Sequence, residues 1–144
     1  MAERSRALVG AQYMLHHTPD LFTFTLKGAP RTKKNHGRIV WRHVAGVQRK
    51  FHVPSGAYSL WCASVVIQLV HVRQLPNCHY NCAAVFYRDA NRGDAVGYYQ
   101  GLADALEAAG VISNDKYITQ WDDSRLRVDR ANPRVELTLT PVEA

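Results

Sequence analysis

The sequence predicts a small α+β domain: a mainly antiparallel mixed sheet with two principal helices packed on it. Three observations lead there. Apolar alternation at a period of two marks LFTFTLKG, HYNCAAVFYR and PRVELTLTP as strands. Apolar residues at helical spacing mark AYSLWCASVVIQLVHVRQL and AVGYYQGLADALEAAG as helices. The order runs strands, helix, strand, helix, strands, without repeats, low-complexity tracts or an internal linker.

The elements follow in chain order. Residues 1–20 form an N-terminal extension and residues 21–144 the domain. LFTFTLKG stops at Gly28 and Pro30. GRIVWRHVAGVQRKFHV reads as a hairpin turning at Ala45 and Gly46. Pro54 and Ser55 open the first helix, which the apolar spacing carries toward Pro76. HYNCAAVFYR is a buried strand, Asp94 opens the second helix, and KYITQWDD and PRVELTLTP supply two final strands.

At 144 residues, with 47% hydrophobic and 21% charged, the chain suffices for one core. No run of about 18 apolar residues occurs, so no membrane span is expected. The start, MAERSRALVG, lacks the apolar stretch of a secretory signal, and a cytoplasmic location is expected. Three cysteines do not suit a disulfide framework. Alternation sends Cys78 and Cys82 to one strand face, where core thiols are expected; a metal site would have to recruit Cys62 or His71.

Charge divides the chain. Leu21 to Arg88 holds ten Lys or Arg and no acid, whereas Asp89 to Ala144 holds ten acids against six bases. Seven of the basic residues lie at 31–50, interleaved with Trp41. Such a segment suits a phosphate backbone, bound by counterion release. Arg31, Lys33, Lys34, Asn35, Arg38 and Arg42 are the expected contacts, with DNA the expected partner. The alternatives are a solubilising strand pair and an RNA-binding or ribosome-associated protein.

The second helix carries the chemistry. A wheel at 100° per residue gathers Ala95, Tyr99, Leu102, Ala103, Leu106 and Ala109 on the sheet side. Opposite lie Asp94, Gly97, Gly101, Asp104 and Ala108, an almost bare solvent face. Each interior glycine costs about 0.5–1 kcal/mol against alanine. Gly97, Gly101 and Asp104 are therefore expected to admit a second backbone, from DNA or a partner subunit. Asp94 also suits a plain N-cap and Asp115 an Asx turn. Asp104 has no basic partner three or four residues away.

GVISNDKYI after DALEAAG, with PRTKKNHGRIV and PSGAYSLW upstream and PRVELTLTP at the end, resembles the RusA-like endodeoxyribonucleases of phages and bacteria, across residues 21–140. The resemblance implies a homodimeric, Mg²⁺-dependent enzyme, with Mn²⁺ as a substitute ion, that cleaves four-way DNA junctions. The family's helix begins D-x-D-N-x-x-K and is followed by a turn ending in D-D. The first acid falls on Asp94 and the last on Asp115, implying that both are catalytic metal ligands. The second acid is Val96 here, the Asn is Gly97, the Lys is Gln100, and the first turn acid is Asn114. Asp89 is the expected substitute for the second metal ligand, and Lys33 or Lys34 for the catalytic lysine. Asp104, about 15 Å along the helix from Asp94 at 1.5 Å per residue, takes a supporting role. The alternative is a homologue that binds junctions without cutting them.

Overall fold

A computed structural model describes residues 21–33, 38–53 and 56–143. Lys34 and Asn35, named above as phosphate contacts, and the helix-opening Pro54 and Ser55 lie outside the described residues, as does the 1–20 extension. β1 (Phe22–Lys27) is followed by β2 (Arg38–Val44), β3 (Val47–Val53), helix α1 (Gly56–Gln68), β4 (His79–Arg88) and helix α2 (Ala95–Ala108). A short 3₁₀ turn (Asp115–Tyr117), β5 (Ile118–Gln120), β6 (Arg125–Val128) and β7 (Arg134–Val142) complete it.

The main sheet runs β1-β7-β4-β5, with β6 also pairing β4. β7 lies antiparallel between β1 and β4, and β5 and β6 run parallel to β4 after the crossover through α2. Two-residue alternation along β4 and β7 buries one face: Cys82, Ala84 and Phe86 stand beside Leu139, Leu137 and Val135. Leu26 extends that face on β1. Both helices cover it, α1 with Tyr58, Trp61 and Val65, α2 with Tyr98, Leu102 and Leu106. The result is two layers around one core.

The hairpin forms as the sequence predicts. Val44 faces Val47 across a two-residue turn in which Ala45 and Gly46 have φ of 53° and 78°. Both turn residues are left-handed, the geometry that matches strand twist, and Gly46 supplies it without strain. β2 and β3 form a sheet of their own and side chains 41–51 are exposed. The basic segment is therefore a two-stranded arm.

Three expectations change. α1 ends at Gln68 rather than near Pro76; the apolar spacing continues because Leu69 and Leu75 still pack into the core from non-helical backbone. The strand expected over KYITQWDD begins as a 3₁₀ turn, capped by the Asn114 side chain accepting from Lys116 N–H, and only Ile118–Gln120 pairs. β6 carries too little alternation to stand out, with only Leu126 turned inward. Cys82 is fully buried, and burial pushes its thiol up to about 12. Cys78 precedes β4, and it and Cys62 pack at the edge of the core. All three are free thiols.

Phe86 is fully buried and its ring lies 5.5 Å from Tyr98 and 5.9 Å from Tyr99. Phe86→Ala is expected to lower unfolding free energy by about 3–5 kcal/mol in urea denaturation, whereas Thr23→Ala on the exposed face should change it by less than about 0.5 kcal/mol.

Candidate functional site

The glycine side of α2 is covered by this chain itself. Gly97 and Gly101 are buried, which corrects the solvent-facing trough expected from the wheel. A Cβ on Gly101 would lie 3.1 Å from the Arg31 carbonyl oxygen and 3.1 Å from Tyr58 Cε1. One on Gly97 would lie 3.1 Å from Thr32 Cγ2 and 2.8 Å from Asp94 Oδ1. The close approach is real, but the approaching backbone is segment 31–33, with α1 beside it. Tyr58 adds its hydroxyl, which donates to the Gly101 carbonyl at 2.9 Å. The buried stripe is wider than predicted and includes Tyr98 and Ala105, because α2 packs on the sheet and on α1 together.

This docking fixes the charged groups around it. Lys33 Nζ lies 3.0 Å from Asp104 Oδ2. Gln100 Nε2 donates to Asp104 Oδ1 at 3.0 Å and, more weakly, to Asp115 Oδ2 at 3.4 Å. The Asp115 backbone N–H is held by Glu107 Oε1 at 2.8 Å. A chain of polar contacts therefore runs Lys33, Asp104, Gln100, Asp115 through three segments of the fold. Beside it opens a cleft of about 310 Å³ lined by Val96, Tyr99, Gln100, Ala103, Asp115, Ile118 and Trp121. Tyr99 and Trp121 stack in parallel, centroids 4.6 Å apart, and form its aromatic wall. Val96, 68% exposed, stands at its margin.

Other expected site residues are placed elsewhere. Asp94 is the N-cap of α2, with backbone φ −106° and ψ 163°, and its Oδ1 accepts the Gly97 N–H at 2.8 Å. That bond satisfies an otherwise orphaned donor. Asp89 accepts both ends of the Arg31 guanidinium at 3.1 Å and a third bond from Arg92 at 3.0 Å. Burial pushes the Asp89 carboxyl up, but the Arg31 hydrogen bonds and charge, with the Arg92 charge, outweigh it and hold the group below its ordinary value. Among the described residues no group of three or more His, Cys, Asp or Glu is set to hold a metal. The expected set of Asp94, Asp115 and Asp89 thus does not fit one ion, because cap and salt bridges claim two of its members.

The pair that approaches a common donor is Asp104 with Asp115. Their oxygens accept from one amide nitrogen, a partly positive group, and two carboxylates are donors of the hard kind Mg²⁺ prefers. Asp104 therefore moves from the periphery to the centre. The sequence carried a signal for this: Gln100 and Asp104 stand four apart, a spacing at which Gln and Asp hydrogen-bond on a helix. Trp121 and Tyr99 carried no comparable signal, because their stacking joins a helix to a loop. Arg31, expected on phosphate, is engaged by Asp89, and Arg42 is exposed on the arm directly opposite Arg49. Arg38 begins β2, in register with Val53.

Compared with protein-family models and with curated proteins, the chain matches none.

Two outcomes test this arrangement. On helix propensity alone Gly101→Ala would stabilise α2 by about 0.5–1 kcal/mol; with backbone oxygen in the way it should instead lower stability by about 1–3 kcal/mol, read as a fall in melting temperature. Asp89, depressed in the folded state, contributes stability that is fully present above its unfolded value of about 4 and is lost as pH falls through the folded value. Asp89→Asn should accordingly melt lower than the wild type at neutral pH, with the gap closing in acid.

Proposed function

We propose that this chain is an endodeoxyribonuclease of the RusA-like type, which binds branched DNA through its basic arm and hydrolyses a phosphodiester at the Asp115 cleft. One observation carries the reading. The resemblance marks positions 96, 100 and 115 as members of one catalytic centre, and Val96, Gln100 and Asp115 line one cleft. Sequence separation alone did not require that convergence.

The arm supports the same reading. Arg42 lies directly opposite Arg49, and Lys50 opposite Trp41. Like charges in register destabilise a strand pair, and a phosphate backbone between them relieves the repulsion. Trp41, 59% exposed, offers a ring to an unpaired base. Leu60 and Ile67 are 75% and 72% exposed on α1, apolar surface that suits the homodimer the resemblance implies.

Asp115 would hold Mg²⁺ together with a phosphate oxygen, and the bound ion would supply charge neutralisation at the phosphate and an activated water. Asp104 stands beside Asp115 through the Gln100 amide the two carboxylates share. The chain's own groups do the rest. Asp115, lining the cleft, presents its carboxylate as acceptor to the attacking water and orients it. Val96, Ala103 and Ile118 give that face an apolar wall that thins bulk water around the reacting oxygen. Arm cations hold the phosphates on either side.

A second reading, junction binding without hydrolysis, is favoured by Val96 and Gln100 standing where the resemblance expects an acid and a lysine. A synthetic four-way junction separates the two. The proposed enzyme nicks it in Mg²⁺ and not in EDTA, and Asp115→Asn lowers cleavage at least about 100-fold with affinity within a few fold. Tight junction binding that survives EDTA, with no product in Mg²⁺ or Mn²⁺, would establish the second reading instead.

A further inference from the structure

The helix position that the resemblance assigns to a lysine is Gln100, yet a lysine reaches the same place from another part of the chain. We infer that Lys33 is the phosphate-contacting cation of this site and that Asp104, with Gln100, is its positioning group. The inference rests on the proposed DNA-directed function and adds a residue role to it.

The geometry is specific. Lys33 and Asp104 are separated by 71 residues and meet at 3.0 Å. The Asp104 oxygen not used by Lys33 accepts from Gln100, and Gln100 reaches Asp115 on the cleft wall. Lys33 Nζ also stands 5.9 Å from the Tyr58 ring centroid, so an aromatic face and a carboxylate bracket the ammonium. Segment 31–33 reaches α2 because Gly97 and Gly101 have no side chains to hold it off. A bulkier residue at either position would push Lys33 away from Asp104.

Stability alone gives little account of this pair. The Lys33 side chain is 44% exposed and Asp104 21%, and ion pairs that open to water contribute little to folding. With the Lys33 side chain this exposed, its ammonium, which carries three N–H bonds, has donors left for a second acceptor. Lys33 also lies five residues before Arg38, the first residue of the arm. A lysine serves here as a compact point charge, and the carboxylate of Asp104 holds it in place until a phosphate competes for it.

The test uses the full-length protein, a synthetic four-way junction, and four variants: Lys33→Ala, Lys33→Arg, Asp104→Asn, and the charge swap Lys33→Asp with Asp104→Lys. Melting temperature is read alongside salt-dependent affinity and single-turnover cleavage. Lys33→Ala is expected to weaken junction binding and to reduce the slope of log affinity against log salt by about one unit, with Lys33→Arg restoring the slope. Asp104→Asn should keep the slope but slow cleavage at least tenfold. The charge swap should recover the melting temperature of the pair while binding stays weak, because the ammonium now projects from α2. A purely structural pair predicts the reverse: slope unchanged in Lys33→Ala, or a swapped protein that binds and cuts like the wild type, and either result overturns the inference. The binding arm remains informative even if the wild type cuts nothing, so loss of the hydrolytic reading and loss of the Lys33 assignment give different outcomes.

Discussion

The contact between segment 31–33 and the glycine face of α2 is the constraint on which the rest depends. Two helical glycines sacrifice about 0.5–1 kcal/mol each in propensity. In return, the Arg31 carbonyl, Thr32 and Tyr58 approach the helix to distances that a Cβ would contest. Once the segment is seated, Arg31 meets Asp89 and Lys33 meets Asp104. The first pair ties the end of β4 to the segment before the arm. The second brings a cation to the cleft-bearing helix. Packing at the glycines thus sets both the stability of the β4–α2 junction and the electrostatics beside Asp115.

The acids of this region divide by what already occupies them. Asp94 is bound to backbone as a cap, and Asp89 is neutralised by two guanidinium groups. Asp115 accepts from the neutral Gln100 amide, and Asp104 from that amide and from the Lys33 ammonium. A carboxylate bound to one amide keeps most of its acceptor capacity, whereas one chelated by arginine has both oxygens engaged and its charge compensated by the guanidinium. The two carboxylates that share the Gln100 donor, Asp104 and Asp115, therefore lie away from the helix N-terminus. Val96 at the cleft margin and the Tyr99–Trp121 stack make the adjoining surface apolar, unlike a site built only of carboxylates.

Polarity along the sequence becomes polarity in space only in part. The basic residues at 42–50 sit on a two-stranded arm with side chains exposed, so their charge faces solvent. Arg31 and Lys33, from the same basic run, are folded back onto acids of the second half. A charge count cannot distinguish these fates, because a cation that neutralises an internal acid and one that faces solvent contribute equally to net charge.

The sequence by itself determined the elements whose causes are local. Alternation marked β1, β4 and β7, the Ala45–Gly46 pair marked the arm's turn, and Asp94 stood where a helix needs a cap. It also raised the expectation of a close neighbour at Gly97 and Gly101, because two glycines in a helix carry a propensity cost with no local return. Which neighbour came was decided by tertiary structure. The wheel assigns faces relative to the helix axis alone, and α2 has two buried sides because a sheet and a second helix with its preceding segment both pack on it. Likewise, the pairing of Lys33 with Asp104 spans 71 residues, and no period or spacing encodes a contact of that kind.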